Sequence, residues 1–339
     1  MISNQAQTIS DKVKSSKSTQ PSRFYDNYAT NNWAFQAFCA GYAEPCHFSR
    51  EFKKRVGVSP KEYVDKVAGE IKEICDKLNT TYDKFIRTTD DYQAMYNAGI
   101  RACVEPSFWL GSHRRYAGTF FDYFENILTF EPTRSERFGI DHFTAIAYNP
   151  KEAENKALVD EVLDGIGEYL DHPRCVAMGE IGFNNINEAE YYCFTRQLRM
   201  AKERDMPVII HISHYNKPTC LEWVLRGFDE VQPDQKKIYL DHNTEDTIER
   251  ALAETDCWCG LTVYPISKLD PMRASAIIKK HGIDRIIVSG SADWGISDPV
   301  SLVKVLEQLK ADGHPEETLQ KVAFDNPNAF YSQSPKWKP

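Results

Sequence analysis

The sequence lacks any Cys-x-x-Cys spacing, any glycine-rich dinucleotide loop, any apolar run of membrane-spanning length and any excess of positive charge. Each absence excludes something. The nine cysteines are odd in number and scattered; Cys257 and Cys259, the closest pair, sit two apart on a strand-like run and read as core packing. That usage fits a reduced, cytoplasmic protein. With no spanning run and no apolar leader at its first residues, the chain is expected to be soluble and to have no membrane partner. Lys and Arg number 41 against 49 Asp and Glu, a net charge of −8, which argues against a nucleic-acid coat. No Gly-x-Gly-x-x-Gly follows a strand-like run, which weakens a dinucleotide-binding reading.

What remains is a chain of 339 residues, 42% hydrophobic and 12% aromatic, enough for a large packed core. It divides into three. Residues 1–34 are rich in Ser, Thr, Lys, Asn and Gln and read as a flexible tail. Residues 35–70 hold a helix, a Gly41-Tyr42 turn and a basic helix whose Phe48, Phe52 and Val56 share one face. "HFSREFKKRVG" and "SPKEY" there resemble the second helix-turn-helix of AraC-type regulators. The likeness implies phosphate contacts from Arg50, Lys53, Lys54 and Arg55; the alternative is a fragment that only packs.

From 71 to 334 the pattern alternates. Strand-like runs occur at 80–86, 99–106, 142–150, 174–182, 206–213, 236–243, 257–265 and 284–293, with amphipathic helical stretches between them. Eight β/α units predict an α/β chain folded as a (β/α)8 TIM barrel behind a short helical N-terminal extension. Glu180, His211, His242 and Asp293 each end one of these runs, on the C-terminal rim where active sites of this fold sit. Asp293 is not needed as a helix cap, because Asp298-Pro299 already gives the next helix its start signal. Two imidazoles converging with carboxylates suit one or two divalent ions, zinc first, with manganese or magnesium as alternatives. Gly179 and Gly182 beside Glu180 would let the backbone approach closely. Trp109, His113 and Arg114 after the second strand, His214, Tyr215 and Lys217 after the fifth and Trp294 after the eighth would shape the pocket, with Trp109 and Trp294 as apolar walls and Arg114 and Lys217 as receivers of an anion; the alternative for each is ordinary loop packing or a solvated charge.

"GEIG", "VIIH", "LDHN" and "SADWG", which carry the four rim residues, resemble the metal motifs of TatD-related hydrolases of the amidohydrolase superfamily. The likeness runs from Arg87 to the C-terminus through "RTTDDY", "VEPSFWLG" and "NPNAFY". It implies that Glu180 bridges or ligates, that His211 and His242 bind one metal, and that Asp293 binds metal and handles the proton of an attacking water. It also implies a His-x-His pair ending the first strand, where this chain has "NTTYDKFIRTTDDY" and no histidine. Asp83 or, better placed, Glu105 would then supply a further ligand. The expected function is hydrolysis of a small-molecule ester, amide or phosphoester, with nucleic acid an unfavoured partner. The alternatives are an impaired barrel that binds without turnover and a DNA-binding regulator using residues 35–67 with the barrel as sensor.

Overall fold

The computed structural model describes residues 89–264, 267–293 and 295–339, the backbone of Leu78–Asp83, and positions 53, 54, 57–59 and 62. The tail, nearly all of the helix-turn-helix-like segment, the Asp83 side chain and Trp294 lie outside the described residues. The chain divides into two units, Met1–Gly69 and Glu70–Pro339.

The second unit is the barrel. Its order is β1 (Leu78–Asp83), α1 (Thr89–Asn97), β2 (Ile100–Pro106), α2 (Ala117–Glu125), β3 (Asp141–Ile146), α3 (Lys156–Gly165), β4 (Cys175–Gly182) and α4 (Glu188–Glu203). It continues with β5 (Val208–His211), α5 (Lys217–Val231), β6 (Ile238–Asp241), α6 (Ile248–Glu254), β7 (Trp258–Thr262), α7 (Pro271–His281), β8 (Ile286–Ser291) and α8 (Ser301–Ala311). Short helical turns fill the longer connections. The eight strands form a closed barrel in sequence order. All pair in parallel, and β1 meets β8 through Tyr82–Gly290 and Asp83–Ser291.

The strands form as they do because both faces are covered. Every residue of β4 and of β8 is buried, as parallel strands under a helical layer require. The helices present one apolar stripe each; α3 buries Leu158, Val159, Val162 and Leu163. Asn187 caps α4 by accepting from the N–H groups of Ala189 and Glu190, and Asp270 caps α7 ahead of Pro271. The helix signalled by Asp298-Pro299 starts two residues later than that signal suggests. The Asp298 side chain accepts from the Val300 N–H and α8 begins only at Ser301.

At the strands' N-terminal end the chain plugs its own barrel. Phe330, Tyr331 and Trp337 pack on Ala102, Phe143, Val176 and Tyr239, with the Trp337 and Phe143 rings 4.6 Å apart. The opposite end is left for chemistry.

Candidate metal centre

Three strand ends build the centre. Glu180 lies on β4 between glycines that allow a close approach to β5. A Cβ on Gly182, whose φ is +131°, would stand 2.4 Å from the His211 carbonyl oxygen, and one on Gly179 would stand 2.6 Å from the Ile209 Cβ. Any side chain at either place would push β4 and β5 apart. His211 is the last residue of β5. His242 follows β6 with a φ of +66°, a left-handed conformation uncommon without glycine. The turn is held there by its neighbours: the His242 N–H donates to Asp241 Oδ1 at 2.7 Å and the Asn243 N–H to the Gly260 carbonyl at 2.8 Å.

The result is a compact donor set. Glu180, His211 and His242 each offer one ligand atom, all within 4.8 Å of one another, and all three residues are buried. Glu180 Oε1 stands 3.3 Å from His242 Nε2 and 3.6 Å from His211 Nδ1. A tetrahedral ion with bonds of about 2.0–2.2 Å separates its ligand atoms by about 3.3–3.6 Å. Both Glu180 separations therefore fit a divalent cation of that size. The imidazole rings of His211 and His242 lie 4.6 Å apart and nearly perpendicular.

A pocket of about 190 Å³ opens over this set, lined by Glu180, His211, His214, His242 and Asp293 together with Phe108, Lys151, Tyr264, Ser267, Lys268 and Gly295. Asp293 lies outside the close donor set. The Tyr264 hydroxyl at 3.0 Å and the Gly295 N–H at 2.7 Å both donate to its Oδ1. His214 stacks against His242 with ring centroids 5.7 Å apart. Lys268 Nζ stands 3.3 Å from each nitrogen of His242, and equal distances to both place it over the ring face rather than on either lone pair. Burial holds Lys151 below the ordinary lysine pKa, against the pull of Glu180.

The other sequence candidates go elsewhere. Glu105 bonds His142 Nε2 at 2.8 Å, both side chains buried, and neither belongs to the donor set. Arg114 forks onto the Glu152 carboxylate, with Nε at 3.2 and 3.1 Å from its oxygens, and its guanidinium carbon lies 3.7 Å above the Phe120 ring. Lys217 donates to the His242 carbonyl at 2.7 Å, and burial, then the neighbouring Lys268, lowers its pKa to about 8. Trp109 sits beneath the Lys151 ammonium, 4.8 Å from ring centre to nitrogen, and the exposed His113 ring lies 6.5 Å from it. Trp109, His113, Arg114 and Lys217 do not line the pocket. Sequence reading passed over Lys151, Tyr264 and Lys268. The signal was available for the last two, since they follow β7 on the same rim that picked out His211.

The model of the family described as TatD related DNase matches residues 80–332. An uncharacterized metal-dependent hydrolase of Methanocaldococcus jannaschii is 27% identical over 249 residues, 73% of this chain and 96% of the relative. Among solved structures, a TatD-like protein of Archaeoglobus fulgidus is 23% identical, with a TM-score of 0.60 over 75% of this chain and 99% of that one. The phosphotriesterase homology protein of Escherichia coli, solved with phosphate in its active site, is 15% identical, with a TM-score of 0.55 over 75% and 98% of the two chains.

Proposed function

Because the chain belongs to the TatD related DNase family, we propose that it hydrolyses a small-molecule ester, amide or phosphoester with the help of a divalent metal, zinc before manganese or magnesium. The observation that carries this is the spacing of Glu180 Oε1 from His242 Nε2 and His211 Nδ1, 3.3 and 3.6 Å. Glu180, His211 and His242 would hold the first ion. A second ion would draw on Asp293. A divalent ion bound there supplies Lewis acidity and lowers the pKa of water toward neutrality.

The remaining work falls to the chain's own side chains. Tyr264 and Gly295 occupy Asp293 Oδ1, so Oδ2 is the oxygen that accepts the proton of the attacking water and returns it to the leaving group. His214 walls the pocket beside the two ligand histidines, and Phe108 gives it an apolar side. Lys151 and Lys268 balance the two pocket carboxylates and, once a dication is present, receive an anionic part of the substrate. The pocket's volume of about 190 Å³ suits a small molecule.

The test is metal content by elemental mass spectrometry on protein purified without chelator, followed by a screen of small esters, lactones, amides and phosphoesters. One or two metal equivalents and a turned-over substrate are expected, and His211→Ala should lose both. Full activity in that variant would refute the site. The binding-only reading keeps one observation in its favour, the absence of histidine in "NTTYDKFIRTTDDY". Metal-replete protein that binds a ligand yet turns nothing over would select it.

A further inference from the structure

We infer that Asp241 and Thr262 are positioning residues for the metal centre: acting through the Thr262 hydroxyl, Asp241 fixes His242 in its Nδ1–H tautomer and leaves Nε2 to the metal. The inference rests on the metal reading above and deepens it.

Counting protons decides the direction of each bond. Thr262 Oγ1 stands 2.6 Å from Asp241 Oδ1 and 2.6 Å from His242 Nδ1, and it accepts from the Ser289 hydroxyl at 3.0 Å. A hydroxyl has one proton to give. A carboxylate has none, so the short contact to Asp241 must use the proton of Thr262. The contact to His242 then needs a proton from the ring, and Nδ1 carries it. Nε2 is left with its lone pair, and Nε2 is the nitrogen 3.3 Å from Glu180 Oε1. The direct gap from Nδ1 to Asp241 Oδ1 is 3.4 Å, so Thr262 bridges the two. Lys268 lies over the ring face and does not compete for Nδ1.

The surroundings are built for this relay. Asp241, Thr262, Ser289 and His242 are 0, 1, 0 and 2% exposed, where a wrongly placed proton leaves a buried polar group unsatisfied. Asp241 Oδ1 also accepts from the Tyr239 hydroxyl at 3.2 Å and the His242 N–H at 2.7 Å. Gly260 makes room for them: a Cβ there would stand 2.4 Å from Asp241 Oδ1 and 2.6 Å from the Tyr239 hydroxyl. A carboxylate reaching a ligand histidine through a hydroxyl both orients the ring and raises its basicity.

Two measurements test the relay on the full chain. In metal-free wild-type protein, ¹⁵N-correlated imidazole spectra should show His242 protonated at Nδ1. An Nε2–H tautomer overturns the inference, whatever the protein proves to hydrolyse. In parallel, zinc affinity is read by competition with a chromophoric chelator. Thr262→Val keeps the shape but removes the hydroxyl, and should weaken zinc binding about 10–100-fold, while Thr262→Ser restores it. A hydroxyl that serves packing alone would lower Tm and leave the zinc Kd unmoved, and that result also overturns the relay. Wild-type protein that binds no divalent ion would instead sink the metal reading, leaving the tautomer measurement to judge the relay by itself.

Discussion

Asp293 is held by one oxygen. The Gly295 N–H and the Tyr264 hydroxyl both donate to Oδ1, so part of its role is that of an ordinary turn aspartate. Yet it lines the pocket with Glu180 and both histidines, and a turn alone does not require that. Asp293→Asn keeps the turn, because the amide oxygen still accepts, and removes the proposed base. The expected outcome is full metal occupancy with turnover lowered by about 10²–10⁴-fold; lost occupancy would make Asp293 a ligand first. Arg114 is the opposite case. Its side chain and that of its partner Glu152 are 6 and 2% exposed, and breaking a buried ion pair from one side costs about 3–5 kcal/mol. Arg114→Ala should therefore show its effect in urea unfolding. A raised KM with unchanged stability would return Arg114 to the substrate. Glu180, His211, His242 and Asp293 stood out in the sequence because a polar residue ending an apolar run is conspicuous; the first three share the close donor set and Asp293 only the pocket. Sequence reading did not place Glu105, because an apolar run hides the phase of its alternation. Ala102 and Val104 face the core with Phe143, so Glu105 turns to the helical side, against His142.

The elements around the site take their shape from buried side chains as well as from their own backbone bonds. The loop from β4 to α4 is folded over Glu190, whose carboxylate accepts from the N–H groups of Asn184, Asn185 and Ile186 at 2.8–3.1 Å. Glu190 is 1% exposed, and burial outweighs those bonds and raises its pKa above the ordinary 4.5. The sign follows. A carboxyl with a raised folded pKa stabilises the fold most below its unfolded value, and that contribution is lost as pH rises through the folded value. The stability of wild type relative to Glu190→Gln should therefore fall from below pH 4.5 upward and then level off. Urea unfolding of both proteins across that window checks it, and a rising difference would mean that the backbone donors prevail over burial. None of this loop was legible beforehand. A glutamate in the first turn of a helix reads as a solvated charge favourable to the helix dipole, and only the path of the chain after Gly182 brings three N–H groups to it. The start of α8 shows the same limit: Asp298-Pro299 announced a helix, and the tertiary turn at Asp298 delayed it to Ser301.

At the scale of the whole molecule, the alternation of runs was sufficient for the barrel, because eight parallel strands with covered faces leave few ways to close. The plug was not legible. Phe330, Tyr331 and Trp337 come from a C-terminal segment whose apolar residues look like any helix stripe, and nothing local says that they enter the barrel's N-terminal end. Phe330 is fully buried, with ring centroids 4.9 Å from Tyr331 and 5.7 Å from Tyr239. Truncating such a ring costs about 3–5 kcal/mol through lost transfer energy and the cavity left behind. Tyr239 links this plug to the opposite end of the barrel, because its hydroxyl bonds the same Asp241 oxygen that Thr262 and the His242 N–H use. Phe330→Ala consequently separates two pictures of the barrel. If the two ends are independent, urea unfolding records the full loss while the zinc Kd at 25 °C stays at the wild-type value. We expect this outcome, since Asp241 Oδ1 retains two further donors when Tyr239 shifts. A zinc Kd that weakens along with stability would mean that the plug sets the position of β6, and that the metal centre is tuned from the far end of the fold.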